Sequence, residues 1–286
     1  MLQLARQAPT LDAIITAHAA LRAQVPLVQC LTNVVSAPFM ANVLLAAGAS
    51  PAMVDNPEEA AAFASIAGAV LVNLGTPTAA QVQSMRLAVQ AADDIGKPWV
   101  LDPIGAGVLP WRGAVAAELL AQRPTVIRGN ASEIIGLAGL GSSRAKGFDS
   151  SNDPADAMPA AMSLLKHAHC VSASGAIDHV VGKVQDDTGN VSHYLLRIAG
   201  GSALLPRITA SGCALGALVA AYTAVAADAF CAVAAAHVHF ALAAEYGERQ
   251  AGGPGSFMPA FLDGLDLVDA RLIRAKAQID GVKLVR

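Results

Sequence analysis

The chain has 286 residues, of which 54% are hydrophobic, 14% charged and 4% aromatic, with a formal net charge of −3. Intrinsic disorder needs low hydrophobicity and high charge, so it is excluded. A slightly acidic balance also excludes a surface built mainly to grip nucleic acid.

No linker or composition break divides residues 1–286, so a single domain is expected. The first residues carry Arg6 and Asp12 with no long apolar run between them, which argues against a signal peptide. Pro26–Cys30 (PLVQC) reads as a strand. Ser36–Ala47 reads as a helix stopped by Gly48. Ser50–Val54 is a short strand. Asn56-Pro57-Glu58-Glu59 reads as a helix start, with a capping Asn, a first-turn Pro and acids that suit the dipole. Ala69–Asn73 (AVLVN) is a buried strand, Thr78–Ile95 a helix, and Pro98–Leu101 a strand ending at Asp102. Thr125–Arg128 and His169–Ser172 are further strands, and a helix closes between Ser163 and Lys166. Residues Gly141–Pro154 read as a surface loop.

His179–Val184 and His193–Ile198 flank the turn segment Asp186–Asn190 and predict an antiparallel hairpin. The chain then reads as helical from Gly212 to about Glu245, with a loop at Gly252–Ser256 and a last helix from about Met258. A membrane span needs about 20 uninterrupted apolar residues. The run Cys213–Ala244 is broken by Asp228 and interrupted by His237 and His239, so it reads as two Ala-rich helices in a protein core, with no membrane contact. Cys30, Cys170, Cys213 and Cys231 form no CxxC pair, which fits free thiols in a reducing cytoplasm. Apolar strands alternating with helices predict an α/β fold, its mostly parallel sheet covered by helices on both faces.

In such sheets ligands bind beyond the carboxyl ends of the strands. The residues there are Thr32-Asn33, Asn73–Thr76, Asp102–Gly107, Arg128–Asn130, Ser174-Gly175 and Thr209–Cys213. Asp102–Gly107 is not a dinucleotide fingerprint: Pro110 stands where the third glycine belongs, and no helix start is read directly after it. Walker A, HExxH and GxSxG are absent as well. Asp102 reads either as a loop residue or as an acid that holds a metal-bound water. Thr209–Cys213 leads into a helix whose N-terminal N–H groups and dipole suit a phosphoryl group. The same dipole is expected to lower the Cys213 pKa, if that thiol is not simply buried. Asn130 and Glu133 read either as a helix cap or, through Glu133, as a Mg2+ ligand. His167/His169 and His237/His239 are i,i+2 pairs that do not meet on a helix, and they read as core or surface histidines.

The segments LTNVVSAPFMANVLLAAGASPAM, VLVNLGT, LDPIGAG, VIRGNASEI, KGFDSS, ASG, ITASGCALGALVAA and GPGSF occur in one order across about residues 25–265. Together they closely resemble the hydroxyethylthiazole kinase family, which has the ribokinase-like fold. The resemblance implies ATP-dependent phosphorylation of 4-methyl-5-(2-hydroxyethyl)thiazole with Mg2+, in thiamine biosynthesis and salvage. It also implies a homotrimer with sites between subunits. Carried over by position, Met53, Asn33, Val35, Gly75 and Ala210 fall on the thiazole side. Arg128 and Ser174, with Asn130 beside them, fall on the ATP side. Glu133 and Asp102 fall at the metal, and Cys213 stands where ribokinase-like enzymes usually have a catalytic aspartate. Three positions depart from the family pattern: Ala210 replaces a glycine, Ser174 a threonine, and Cys30 a polar residue. Two rival readings are a related ribokinase-like enzyme acting on another small alcohol or as a lyase, and a non-catalytic trimer that senses thiazole or nucleotide.

Overall fold

The computed structural model describes residues 2–139 and 153–284. The KGFDSS motif and nearly all of the loop expected at 141–154 lie outside them. In chain order the described elements are α1 (Leu11–Gln24), β1 (Leu27–Leu31), α2 (Ala37–Ala47), β2 (Ser50–Ala52), α3 (Ala60–Ile66), β3 (Ala69–Asn73), α4 (Ala79–Asp94), β4 (Trp99–Asp102) and α5 (Pro110–Ala121). There follow β5 (Val126–Asn130), α6 (Ala131–Leu137), α7 (Met158–Leu164), β6 (Cys170–Ser174), β7 (Ile177–Gln185), β8 (Val191–Ala199), α8 (Ser211–Thr223), α9 (Ala229–Gln250), α10 (Pro254–Leu267), α11 (Ala270–Lys276) and β9 (Gln278–Leu284).

The nine strands form one sheet in the order β2-β1-β3-β4-β5-β6-β7-β8-β9. β2 through β6 are parallel neighbours, and β7, β8 and β9 pair antiparallel. Period-2 alternation sends side chains to both faces. Ala69 and Leu71 of β3 join the apolar cluster under α1, α2, α8, α9 and α10. Val70 and Val72 of the same strand join the cluster under α3, α4 and α5. Val171 and Ala173 of β6 pack with α6 and α7. The central strands are therefore mostly apolar, with Gln29 in β1 and Ser172 in β6 as buried polar exceptions, and the polar residues gathered at the carboxyl ends are the functional signal.

Local chemistry sets the helix ends. Ser36 precedes α2 and Gly48 closes it at φ 92°. Thr78 and Gln81 form a reciprocal capping box on α4. Asp228 accepts from the Cys231 N–H and starts α9 afresh, so the Ala-rich run is two helices. Among the described residues α9 alone is long and apolar enough to cross a membrane, but 89% of its most apolar window is buried within the fold.

Several expectations need correction. Asn56 caps only a turn, through the Glu58 N–H, and α3 begins at Ala60. A helix does start soon after the Asp102–Gly107 segment: α5 opens at Pro110, which needs no N–H at a first-turn position. The residues from Pro254 are already helical, because Pro254 opens α10. That helix is not the last element, since α11 and β9 follow it.

Candidate functional site

Because β1 and β3–β6 are parallel, their carboxyl ends meet along one edge of the sheet. The polar side chains there form a continuous buried line. The Val35 and Ser36 N–H groups donate to Asn33 Oδ1 at 3.1 and 3.0 Å, which fixes the Asn33 amide. Asn33 Nδ2 then donates to Asn73 Oδ1 at 2.8 Å. The Gly75 N–H donates to the same oxygen at 3.0 Å. Asn73 Nδ2 donates to Asp102 Oδ2 at 2.9 Å. From the other side Arg128 Nη1 reaches Asp102 Oδ2 at 3.5 Å, and Arg128 Nη2 donates to Ser174 Oγ at 2.5 Å. Donors from both directions converge on Asp102. Position 75 must be glycine, because a Cβ there would overlap Asn33 Nδ2.

The N-terminus of α8 lies over this line. A Cβ on Gly212 would sit 3.2 Å from both Arg128 Nη atoms, so the guanidinium lies against the first turn. Gly216, one turn on, leaves room for Asp102 Oδ2. The leading N–H groups of a helix have no intrahelical acceptor. Together with Arg128 they make a positive, backbone-lined end suited to an anion. Asn33 Nδ2 also approaches Cys213 Sγ at 3.8 Å.

Electrostatics marks the same place. Burial pushes Asp102 up to about 6, against the opposing pull of Arg128 and Asn73. Burial and the Asp102 charge push Glu133 up to about 7. Glu133 Oε2 accepts from the Asn130 N–H at 2.8 Å, and Asn130 Oδ1 accepts from the Glu133 N–H at 2.9 Å, so the capping pair is formed. Asp102 Oδ1 and Arg128 Nε are buried with no hydrogen-bond partner among the described residues.

Thus the structure joins Asn33, Gly75, Asp102, Arg128, Ser174 and Cys213 in one network and sets Glu133 beside Asp102. Met53 follows β2 at the same end of the sheet, half-buried. Val35 contributes its N–H while its side chain is exposed. Ala210 precedes α8 at φ 68°, in the left-handed region where a Cβ is strained. One expectation is overturned: the Cys213 pKa is not lowered by the helix dipole. Burial and the nearby Asp102 push it up to about 11, so the thiol is protonated at neutral pH. Sequence reasoning placed Asn73 among the strand-end residues but gave it no role of its own, although it links Asn33 to Asp102. Its signal was there, as the one polar residue closing the apolar strand AVLVN.

A model of the hydroxyethylthiazole kinase family matches residues 18–271. The hydroxyethylthiazole kinase of Rhodococcus erythropolis is 54% identical over 275 residues, 96% of each chain. That of Acinetobacter baumannii is 46% identical over 94% of this chain and 95% of its own. The solved hydroxyethylthiazole kinase of Pyrococcus horikoshii superposes with a TM-score of 0.82 at 33% identity, covering 95% of this chain and 99% of its own. A Staphylococcus aureus pyridoxal kinase in complex with AMP-PCP and pyridoxal shares the fold, with a TM-score of 0.62 at 14% identity over 91% of this chain and 99% of its own.

Proposed function

The chain belongs to the hydroxyethylthiazole kinase family, and from that premise we propose that its phosphoryl transfer takes place where the first turn of α8 overlies Asp102 and Arg128. It is an ATP-using kinase with the ribokinase-like α/β fold, and it phosphorylates the hydroxyl of 4-methyl-5-(2-hydroxyethyl)thiazole in thiamine biosynthesis and salvage. The observation that carries the site is the single hydrogen-bonded line from Asn33 to Ser174 under that helix end.

Phosphoryl transfer asks mainly for alignment and charge neutralisation. The phosphates of ATP lie against Arg128, whose guanidinium Ser174 holds in place from the far side. Asn130 belongs to this side through its cap of the helix that carries Glu133. The γ-phosphoryl group meets the N–H groups of Ser211, Gly212 and Cys213, and these stabilise charge developing on its oxygens. Asn33, Val35, Gly75, Ala210 and Met53 form the thiazole side. There the substrate hydroxyl lies near Cys213. The hydroxyl oxygen bonds to the γ-phosphorus, the bond to the ADP leaving group breaks, and the hydroxyl proton passes to solvent water. With its pKa pushed up to about 11, Cys213 orients that hydroxyl as a protonated thiol and is not the resting base. A loose transition state demands little base strength, so this suffices.

Mg2+ fits the donor set. Asp102 Oδ1 has no partner among the described residues, and both Asp102 and Glu133 are raised by burial that too little positive charge offsets. Two carboxylates beside substrate phosphates are a usual Mg2+ environment. Asp102 and Glu133 would hold the ion, which supplies charge neutralisation on the phosphate oxygens. Among the described residues no group of three or more His, Cys, Asp or Glu gathers for a metal, consistent with phosphates completing the shell.

The assembly is a homotrimer with the thiazole side between subunits. The supporting feature is the exposed Val34-Val35 pair at the mouth of the site. Four free cysteines support a cytoplasmic location. The test is coupled ADP release with hydroxyethylthiazole, run with and without Mg2+, on protein sized by light scattering. Turnover that needs both thiazole and Mg2+ is expected from a trimer; ADP release indifferent to thiazole would reject the reading.

A further inference from the structure

Outside the reacting line, a second buried set of groups closes a ring around the turn between β6 and β7. Asp178, at the start of β7, accepts the Gly175 N–H on Oδ1 at 2.9 Å. Its other oxygen, Oδ2, meets His237 Nδ1 at 2.7 Å. His237 Nε2 meets Ser172 Oγ at 3.2 Å. Ser172 lies two residues before Ser174, on the same face of β6, and is in register with Arg128. The path Ser172–His237–Asp178–Gly175 therefore starts and ends on β6 and its turn, with α9 as the outside anchor.

The distances resemble those of a hydrolytic Ser-His-Asp set. That chemistry is closed off, because Ser172 and His237 are fully buried and no substrate reaches the hydroxyl. What the ring can do is hold. A carboxylate only accepts, so His237 Nδ1 carries a proton toward Asp178. His237 is thereby locked in orientation, and through Asp178 it locks the Gly175 N–H. Ser174, between the two anchored residues, cannot swing away from Arg128.

We propose that Asp178 and His237 are positioning residues for the nucleotide: they brace the β6–β7 turn so that Ser174 and Arg128 present a preformed ATP face. The proposal rests on the ATP-side reading of Ser174 and Arg128, and extends it to residues that touch neither substrate. A brace of this kind acts on ATP and not on thiazole. A merely structural histidine would lower stability and move both substrates alike.

The test is steady-state kinetics on the whole enzyme, with melting temperature and a calorimetric ADP titration for each variant. Asp178→Ala and His237→Ala are expected to raise the KM for ATP about tenfold and to weaken ADP to match, with the thiazole KM within about twofold. His237→Asn, which still offers an N–H toward Asp178, is expected to recover most of the loss. Should His237→Ala not fold, Asp178→Ala, whose side chain is 17% exposed, carries the same test. An unchanged ATP KM in Asp178→Ala overturns the proposal. So does a parallel rise in both KM values that tracks the melting temperature. Ser174→Ala separates the two readings. If it raises the ATP KM while Asp178→Ala does not, the site stands and the brace falls. If Asp178→Ala raises it and Ser174→Ala does not, Ser174 is not what the brace presents to ATP, and the proposal falls.

Discussion

The two ends of α8 each pack against a buried polar cluster, and burial acts on the two in opposite senses. At the N-terminal end Asp102 and Glu133 are carboxyls pushed up to about 6 and about 7, with Arg128 as the counter-charge. At the C-terminal end Tyr222 Oη meets His239 Nδ1 at 2.9 Å, and His239 Nε2 donates to the Leu265 carbonyl at 2.8 Å. The His18 ring lies edge-on to His239, with centroids 4.9 Å apart. Burial there pushes His239 down to about 3 and His18 to about 4, so both rings stay neutral. The histidine cluster is nearly complete in its own hydrogen bonds, with only His18 Nε2 left over. The acidic cluster keeps a carboxylate oxygen and a guanidinium nitrogen without partners among the described residues. A neutral, satisfied cluster is architecture; a charged, incomplete one is a place for a ligand.

The largest expected effect comes from removing the charge that holds the incomplete end together. Arg128→Ala leaves Asp102 buried without its ion pair, which should cost about 3–5 kcal/mol of stability. ATP should offset part of that loss less well than in the parent, because the same residue neutralises phosphate. The KM for ATP should therefore rise more than that for thiazole; the reverse order would contradict the assignment. Denaturant unfolding with and without ATP, together with kinetics, measures both effects.

The histidine end is probed by pH. His239 has a folded pKa below its ordinary 6.5, so the unfolded chain binds more protons in between. Its contribution is fully present above pH 6.5 and is lost as pH falls toward about 3. By pH 4 the loss is about 3 kcal/mol from this residue. Asp102 and Glu133 work the other way: their contribution is full below their ordinary values and fades as pH rises through about 6 and about 7. The two ends therefore oppose each other across one window. His239→Gln removes one side of the contest. It should be less stable than the parent at pH 7.5, with the gap closing by about 3 kcal/mol at pH 4. A gap that does not change with pH breaks the comparison.

The two ends also differ in how readable they were. The strand-end residues Asn33, Asp102, Arg128 and Ser174 stood out because each is polar where an apolar parallel strand stops. Their mutual contacts depend on the strand order β1-β3-β4-β5-β6, which the alternation of elements does not fix by itself. The ring through Ser172, Asp178 and His237 joins β6, β7 and α9 across 65 residues of chain, and nothing local encodes that meeting. An i,i+2 pair of histidines reads only as two faces of one helix. β9 was missed for a related reason. Its residues are mostly exposed and its ladder partner β8 lies far back in the sequence. α5 has no long apolar run, and Pro110, which breaks the glycine pattern after Asp102, is also the first-turn proline that opens that helix.

Smaller effects come from changing the incomplete end without removing its charge. Cys213→Asp adds a carboxylate beside Asp102, where burial and that acid already push the thiol up to about 11. It should cost about 2 kcal/mol of stability. Turnover should be kept or raised, because a carboxylate can accept the substrate proton, which a protonated thiol does not. Complete loss of activity in a folded variant would remove Cys213 from its place beside the hydroxyl.

The smallest change tests the backbone under the same helix end. Ala210 carries a Cβ at φ 68°, ψ 5°, and has no capping hydrogen bond from its side chain. Glycine adopts that conformation freely, so Ala210→Gly relieves strain in the folded state. It also frees the unfolded chain, which offsets part of the gain. A net stabilisation of about 0.5–1 kcal/mol is expected. The N–H groups of Ser211 to Cys213 keep their directions in the helix, so kcat should stay within about twofold. If stability rises while kcat falls well beyond that, the strain at Ala210 is itself aiming the helix N-terminus at the phosphoryl group. The contrast between the ends of α8 would then extend from side-chain charge to backbone geometry.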